Sequence, residues 1–215
     1  MAGVAVIYTT HSYVERERFE LERLISDLRE LSVDDGVTVC GPPPLLLDLA
    51  KALEERGDPL SLGEDALVLA TGGWKRRQGE MIARSEFDGR VARALGIRDV
   101  TRVRDTYNMV ELNTVLFECS HKTKHVPPWL YAGARDARTL SEVESGAPGL
   151  LAFADPTPTS YPGFVLSDDF GSVSRRVACP CGITSDTLSI DRRVNKVETR
   201  GCALKIETSL RNEQR

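Results

Sequence analysis

Hydrophobic and polar positions in the first half of the chain follow two periods in turn, one of two residues and one near 3.6. Runs rich in β-branched residues predict strands at 3–10, 34–41, 65–73 and 100–108. Apolar residues at helical spacing, with charges on the opposite side, predict helices at 14–31, 42–58 and 84–97. Strand–helix alternation of this kind predicts an α/β fold, a mainly parallel sheet with helices on both faces.

Residues typical of helix ends mark the second and third of these helices. Prolines open the second helix and Gly57 follows it. Ser85 is the predicted N-cap of the third helix, and Gly96 is its predicted stop.

The pattern changes after about Asn113. Shorter strand candidates separated by Gly, Pro, Asp and Ser follow at 128–136, 149–155, 163–169, 173–178 and 193–201. This rhythm predicts a smaller antiparallel β-rich, barrel-like subdomain packed on the first unit. We place the boundary between 114 and 130, and divide the chain into 1–115, 116–206 and a flexible tail, 207–215.

Composition excludes several classes of function. The 215 residues carry a net charge of −4 with mixed signs, which argues against a broad nucleic-acid-binding face. The apolar runs are too short to cross a bilayer, and the first residues lack the basic flank and cleavage site of a signal peptide. Five unevenly spaced cysteines favour a reducing cytoplasm over a disulfide framework.

Two polar segments stand where predicted strands end, ATGGWK at 70–75 and DTYNMVELN at 105–113. Ligands of open α/β sheets bind beyond the carboxyl ends of the strands. Gly72 and Gly73 would let a backbone approach a flat ligand or a phosphate, and Tyr107 could stack on a ring. Glu111 could hold a metal ion that bridges phosphates. A Gly-Gly pair alone is weak support, because most such pairs only turn the chain.

Taken in order, these and later segments resemble the adenylate-forming enzymes, which activate a carboxylate as an acyl-adenylate. The matching segments are TGG after a strand, Tyr-x-Met-x-Glu at the next strand end, SDDFG at 167–171 and RVNKVETRG at 193–201. The similarity is closest to the phenylacetate–coenzyme A ligase branch and the LuxE-type acyl-protein synthetases, which ECSHKTKHVPPW, CPCG and RGCALK also resemble. The resemblance covers most of the chain.

For the base of ATP, the resemblance implies an adenine pocket at the two strand ends. Gly72 and Gly73 would line it with Trp74 beside them, and Tyr107 would cover the ring. The family motif YGxTE stands here as YNMVE, so Asn108 replaces the family glycine. Asparagine tolerates unusual backbone angles, so this replacement is mild.

For the rest of the nucleotide, the resemblance implies that Glu111 is the Mg²⁺ ligand of the catalytic site. Asp169 would bind both ribose hydroxyls. Arg193, or less favoured Arg192, would reach the phosphate or ribose near a hinge at 195–196. A carboxylate is a common clamp for ribose hydroxyls, and the charge of a triphosphate calls for Mg²⁺ and a cationic side chain.

Some parts of the family pattern are missing from this sequence. Val110 replaces the family threonine, which removes one expected contact to the adenylate. No Ser/Thr/Gly-rich phosphate loop is visible, and no lid domain follows Gly201, where full-length ligases carry a catalytic lysine. The chain therefore resembles the second half of an adenylation core: a truncated piece, one part of a split enzyme, or a relic with another role.

A second candidate site combines thiols with an imidazole. Cys179 and Cys181 form a C-x-C pair, and Cys119 and His125 lie in the same predicted β-rich unit. Three thiolates and an imidazole suit a tetrahedral structural Zn²⁺. His121 is an alternative ligand. The competing interpretation is a buried Cys119 and a solvated His125.

Cys202 is a candidate nucleophile close to the C terminus. Positive charge from Arg200 and Lys205 would lower the pKa of its thiol and favour the thiolate. LuxE-type synthetases hold the acyl group on a cysteine near the C terminus, so the resemblance implies that Cys202 is the acyl carrier, and the charge of Lys205 makes this lysine a candidate catalytic residue beside it. The alternative is a small, half-buried residue after a strand glycine.

Together these features predict ATP-dependent activation of a carboxylic acid and transfer of the acyl group to a thiol, which is Cys202, coenzyme A or a carrier protein. The missing phosphate loop predicts a partner that supplies an N-terminal half, or a homo-oligomer. The alternative is a non-catalytic, family-derived protein that binds a nucleotide, an acyl group or a partner. In both cases we expect a cytoplasmic protein without nucleic-acid or membrane partners.

Overall fold

The structure is a computed structural model that describes residues 11–15, 18–31, 36–159 and 163–193, with the backbone alone for 75, 76, 192 and 193. Its first strands are β1 Val14–Glu15, β2 Arg18–Phe19, β3 Thr38–Gly41, β4 Leu67–Thr71 and β5 Val103–Tyr107. The α-helices are α1 Leu21–Glu30, α2 Pro43–Arg56 and α3 Arg84–Ala94, and 3₁₀ helices cover Lys75–Glu80 and Val100–Arg102. The predicted strand at 3–10 lies outside the described residues.

Strands β3, β4 and β5 form a parallel sheet, and the short strand β6, Leu116–Phe117, pairs antiparallel beside β5. Helix α2 is apolar round most of its circumference, and Leu47, Leu49 and Leu53 are at most 1% exposed. A helix that is apolar on all sides has to lie inside the fold. It shares one apolar core with α1, α3 and the strands β4 and β5. This arrangement confirms the predicted α/β class.

The second half forms a separate five-stranded antiparallel sheet. Its strands are β7 Lys124–His125, β8 Tyr131–Arg135, β9 Pro148–Ala154, β10 Phe164–Ala178 and β11 Thr184–Arg193, which pair in the order β7-β11-β10-β9-β8. Leu151 and Phe153 are fully buried in its core, where Tyr107 of β5 and Leu116 of β6 also pack. The end of β5 therefore lies where the two sheets meet. The division of the chain at 115/116 stays a prediction.

Helix α1 begins later than the sequence pattern predicts, so the expectation of a helix from residue 14 was wrong. The short strands β1 and β2 stand there and pair antiparallel, with Val14 opposite Phe19. The Glu20 amide donates to the Tyr13 carbonyl at 2.8 Å, and Tyr13 and Phe19 pack on the first core. These tertiary contacts outweigh the helix propensity of the charged residues. No α-helix in the described part of the chain is long and apolar enough to span a membrane.

Two further local predictions were wrong. The N-cap of α3 is Ala83 and not Ser85, because the helix already includes Arg84, whose guanidinium binds Asp88 one turn further on. The segments 163–169 and 173–178 belong to one long strand, β10. Gly171 in its middle does not break the strand but faces the backbone of Ser189 in β11 so closely that a Cβ would not fit.

Candidate functional site

The ends of β4 and β5 are neighbours, as the sequence predicts. The two strands are parallel with Thr71 opposite Thr106, and the Thr71 hydroxyl lies 3.4 Å from Oδ1 of Asn108. Gly72 has a φ of +76°, which favours glycine. A Cβ on Gly72 or Gly73 would meet no atom within 4 Å. The turn therefore leaves room for a ligand to approach its backbone.

Tyr107 and Asp169 come together at this position from the two different sheets. The Tyr107 hydroxyl donates to Oδ2 of Asp169 at 2.9 Å, and its ring lies 5.7 Å from that of Phe153. The pairing of β10 with β9 shifts between Leu166 and Phe170, next to Asp169. Buried Ser167 accepts the Asp169 amide at 3.2 Å and donates to the Leu151 carbonyl at 2.9 Å. Both the phenol and the carboxylate are thus fixed by the cores on which they rest.

The other predicted nucleotide-binding residues have different surroundings. Asn108 and Glu111 belong to the loop 108–115 that connects β5 to β6, where Asn108 is exposed and Glu111 half-buried. Trp74 packs on the first core, its ring edge-on to Phe87 at 6.0 Å. The backbone of Arg193 pairs with Asp169 at the end of β11. The structure does not describe the side chains of residues 75, 76, 192 and 193. The predicted hinge at 195–196, Cys202 and Lys205 lie outside the described residues.

We call Gly72, Gly73, Tyr107, Glu111 and Asp169 the strand-tip site. One residue of its surroundings escaped the sequence analysis, namely Asp155, which is 1% exposed directly after β9. It accepts the amides of Asn113 and Thr114 in the 108–115 loop at 3.1 and 2.9 Å. An Asp after a strand and before Pro-Thr was the available signal, because Asp in such places caps turns.

The second candidate site, which we call the Cys/His cluster, consists of Cys119, His125, Cys179 and Cys181. One ligand atom from each of the four lies within 4.8 Å of the others. Sγ of Cys119 is 3.8 Å from Sγ of Cys179, and Sγ of Cys181 is 3.2 Å from Nε2 of His125. In a tetrahedron with metal–sulfur bonds of about 2.3 Å, neighbouring sulfurs are about 3.8 Å apart. The four residues therefore fit a Zn²⁺ ion.

Two turns of the same form present the thiols. The amide of Lys122 donates to the Cys119 carbonyl, and the amide of Gly182 to the Cys179 carbonyl, each at 3.0 Å. Lys122 and Gly182 both have positive φ, 58° and 91°. The alternative ligand His121 lies in the first turn, where its amide is 3.3 Å from Sγ of Cys119. The structure brings His125, rather than His121, into the group of four ligand atoms.

The partners of His125 orient its ring as a metal ligand requires. Ser185 Oγ donates to the Asp186 carbonyl at 2.9 Å and lies 2.8 Å from Nδ1 of His125. With the serine proton directed at Asp186, Nδ1 of His125 can donate to Ser185 Oγ, which would leave Nε2, the nitrogen facing Cys181, available as a metal ligand.

The thiols differ in their readiness to ionise. Burial raises the pKa of Cys119, but hydrogen bonds from the amides of Thr123 and His121 lower it by more. The pKa of this thiol is therefore below its usual value. The Cys181 amide lowers the pKa of Cys179. The Ile183 amide lowers the pKa of Cys181, but burial and the neighbouring thiols raise it by more. A divalent cation would offset the repulsion among three thiolates.

A buried ion network ties the Cys/His cluster to the first sheet. Glu118 and Lys124, next in sequence to Cys119 and His125, are 5% and 8% exposed. Nζ of Lys124 lies 3.1 Å from Oε1 of Glu118 and 2.6 Å from Oδ2 of Asp105 on β5. Arg84 of α3 contacts Oε2 of Glu118 at 2.8 Å. The cluster is thus anchored on the same strand that ends in Tyr107.

The sequence is similar to known proteins over nearly its whole length. The model of the family "Acyl-protein synthetase, LuxE" matches residues 1–211. A long-chain-fatty-acid–luciferin-component ligase of Aliivibrio fischeri is 33% identical over 205 residues, which are 95% of this chain and 54% of that protein. The protein of the same name from Vibrio harveyi is 32% identical over 206 residues, 95% of this chain and 53% of that one. The chain thus spans about half the length of these relatives.

Solved structures with a similar fold include acyl–coenzyme A ligases. An open conformation of 2-hydroxyisobutyryl-CoA ligase, in complex with 2-HIB-AMP and CoA, superposes with a TM-score of 0.64 at 19% identity. The match covers 82% of this chain and 37% of that one. A long-chain-fatty-acid–CoA ligase of Archaeoglobus fulgidus gives a TM-score of 0.57 at 14% identity, over 91% of this chain and 40% of that one. At these identities the likeness concerns the fold.

Proposed function

The chain belongs to the LuxE acyl-protein synthetase family, and on this premise we propose that it carries the adenosine-binding part of an acyl-activating site. The observation that supports the proposal most is the hydrogen bond from Tyr107 to Asp169 beside the open turn at Gly72 and Gly73. It joins a ring that can lie on adenine and a carboxylate that can accept the ribose hydroxyls. The two groups come from strands of different sheets.

In the proposed reaction, an oxygen of the substrate carboxylate attacks the α-phosphorus of ATP. The bond between the α-phosphorus and the oxygen that bridges it to the β-phosphorus breaks, and pyrophosphate leaves as the acyl-adenylate forms. Glu111 would hold the Mg²⁺ that offsets charge on the leaving pyrophosphate. Asp169 fixes the ribose, and Tyr107 and the backbone of Gly72 and Gly73 hold the adenine, so that the α-phosphorus stays in line with the attacking oxygen.

The second half-reaction passes the acyl group to a thiol. A thiolate attacks the carbonyl carbon of the adenylate, and AMP leaves with the electron pair of the broken C–O bond. Cys202, with Lys205 near it in sequence, is the proposed thiolate of this chain, and coenzyme A or a carrier protein is the alternative acceptor. Because the curated relatives are named for long-chain fatty acids, we propose a fatty acid as the carboxylic acid.

A phosphate-binding loop is also needed, and we propose that polypeptide outside these 215 residues supplies it, in the same protein or in a partner. Half of the relatives' length has no counterpart here, which agrees with this proposal. The strand-tip site would then be completed by a second surface. An assembly of two copies of the chain is the alternative.

Exchange of labelled pyrophosphate into ATP tests the proposed function. We expect exchange that depends on a long-chain acid and Mg²⁺, with residues 1–215 alone or together with the product of the neighbouring reading frame. Calorimetry with Mg–ATP on the same samples distinguishes the alternatives. Tight binding without exchange in any sample would favour the non-catalytic nucleotide-binding function, and neither binding nor exchange would refute both.

We also propose that the Cys/His cluster holds one structural Zn²⁺. The four ligand atoms, the two matching turns and the contact of His125 Nδ1 with Ser185 Oγ support this assignment. All four positions of a tetrahedral ion would be filled by protein atoms, which is typical of structural and not of catalytic zinc. Metal analysis of purified protein should give one zinc per chain.

A further inference from the structure

Asp155 is a buried carboxylate without a cationic partner in the described part of the chain. The residue is 1% exposed. Oδ2 accepts the amides of Asn113 and Thr114 at 3.1 and 2.9 Å, and Oδ1 accepts the amide and hydroxyl of Thr157 at 3.0 and 2.7 Å. Burying a charge is costly unless it is hydrogen-bonded, and here four donors compensate it.

The four donors also determine that the group is ionised. Burial raises the pKa of Asp155, but the hydrogen bonds from Thr157 and Thr114 lower it by more. Because each oxygen already faces two donors, an amide could not replace the carboxylate. Whichever way an Asn side chain turned, its NH₂ group would face an N–H group.

Two of these hydrogen bonds restrain the loop that carries Glu111. Asn113 and Thr114 lie just before β6, and Glu111 lies two residues before Asn113. The amide of Leu112 donates to the Met109 carbonyl at 3.1 Å, which closes a turn around Glu111. Nε1 of Trp129 donates to Oγ1 of Thr114 at 3.1 Å and holds the same end of the loop from another side. The position of Glu111 relative to Tyr107 thus depends on this anchor.

We infer that Asp155 is a positioning residue, which fixes the 108–115 loop through Asn113 and Thr114 and so holds Glu111 where it can serve the Mg²⁺ of the nucleotide. This inference rests on the proposed function for the role of Glu111. The ordering of the loop by Asp155 is independent of it. The two parts can therefore be tested separately.

The first test is amide hydrogen exchange of the wild-type chain, Asp155→Asn and Thr157→Val. In Asp155→Asn, we expect the amides of Asn113 and Thr114 to exchange about tenfold faster, because they lose a charged acceptor. Thr157→Val is the matched control, since it removes a hydrogen bond to the other oxygen of the same carboxylate. It should leave the exchange of both amides unchanged.

The second test is the Mg²⁺ dependence of pyrophosphate exchange by the same variants. Asp155→Asn should weaken the apparent affinity for Mg²⁺ about 10- to 100-fold, as outer-shell changes do at metal sites. The KM for the acid should stay unchanged. In a Glu111→Gln background Asp155→Asn should have no further effect, because both changes act on one group.

Several results would overturn the inference. They are unchanged exchange at Asn113 and Thr114, faster exchange throughout β9 and β10, or a raised KM for the acid with unchanged Mg²⁺ dependence. If Asp155→Asn does not fold, hydrogen exchange of the wild-type chain provides the test. Rapid exchange of the Asn113 and Thr114 amides would then refute the claim that Asp155 fixes the loop. Absence of ATP-dependent activity and of Mg–ATP binding in every wild-type sample, alone or with the partner polypeptide, would refute the proposed function, while hydrogen exchange would still decide whether Asp155 orders the loop.

Discussion

The strand-tip site and the Cys/His cluster are two polar regions of one molecule that are built in opposite ways. The cluster is closed, because four ligand atoms from two turns and a short strand lie within 4.8 Å of each other. The strand-tip site is open, because nothing would touch a Cβ at Gly72 or Gly73. A closed set of ligands suits an ion that never leaves, and an open set suits a ligand that enters, reacts and departs.

The two regions are nevertheless connected through β5 and the buried charges on it. Lys124, next to His125, pairs with Asp105, and Tyr107 follows Asp105 by two residues on the same strand. β10 makes a second connection, because it carries Asp169 and ends at Ala178, next to Cys179. Loss of the proposed structural ion would destabilise β5 and β10 and so disturb the strand-tip site, whereas changing one ligand-binding side chain at the open site should leave the cluster intact.

The largest effect is expected from Cys179→Ser. Loss of a thiolate ligand should abolish zinc binding and reduce the free energy of unfolding by about 4 kcal/mol, a fraction of the roughly 10–16 kcal/mol apparent binding energy of structural zinc. For a chain of this size, that corresponds to a Tm lower by about 10 °C. Zinc content and thermal unfolding of the purified variant measure both effects.

The control for that experiment is Cys40→Ser, which changes an exposed thiol on β3 outside the cluster. It should keep one zinc per chain and the wild-type Tm. A Cys179→Ser protein that retains stoichiometric zinc would contradict the assignment of the ligands. One that loses zinc but binds Mg–ATP normally would show that the two regions are independent.

A smaller and more local effect is expected from Asp169→Asn. The amide can still accept the Tyr107 hydroxyl, but it loses the charge that we propose holds the ribose. Since hydrogen bonds to charged groups contribute about 1.5–3 kcal/mol, we expect the affinity for Mg–ATP to fall about 100-fold. Calorimetry should record this loss, whereas zinc content stays at one per chain.

Asp168→Asn is the matched control, because Asp168 is the exposed neighbour on β10 and its charge is equal. It should bind Mg–ATP as the wild-type chain does. Equal losses in the two variants would mean that the overall negative charge matters and not the position of Asp169. Loss of zinc from Asp169→Asn would contradict the expectation that a change at the strand-tip site leaves the Cys/His cluster intact.

The contrast between the two regions also explains how far the sequence could predict them. The elements of the first sheet were predictable, because Leu45–Leu47 and Val68 belong to long periodic patterns whose burial decides the structure. The antiparallel pair β1–β2 and the continuous strand β10 were not predictable, because pairing partners override local signals there. In the sequence Gly171 indicates a break between two strands, but in the structure it lies within one strand, and the backbone of Ser189 packs against it.

For the candidate sites, residue type was predictable but distant contacts were not. Cys119, His125, Cys179 and Cys181 could be proposed together because thiols and imidazole suit one ion, and the structure brings them together. Asp155 gave only the signal of a turn, because its partners Asn113 and Thr114 lie 41 or more positions away. A carboxylate that acts through another loop has no local pattern by which sequence could identify its role.

The smallest effect is expected from Tyr107→Phe, which tests the strand-tip site without changing any charge. The ring keeps its contact with Phe153, while the hydroxyl loses its hydrogen bond to Asp169 and its contact with Sδ of Met109 at 3.7 Å. We expect the free energy of unfolding to fall by about 1 kcal/mol, as for a typical hydrogen bond. Affinity for Mg–ATP should fall only a few-fold, because the ring that we propose covers adenine remains. Denaturant unfolding and calorimetry measure the two quantities.

Combined with Asp169→Asn the losses should be less than additive, because both changes disturb one hydrogen-bonded pair. Fully additive losses would mean that Tyr107 and Asp169 bind the nucleotide independently.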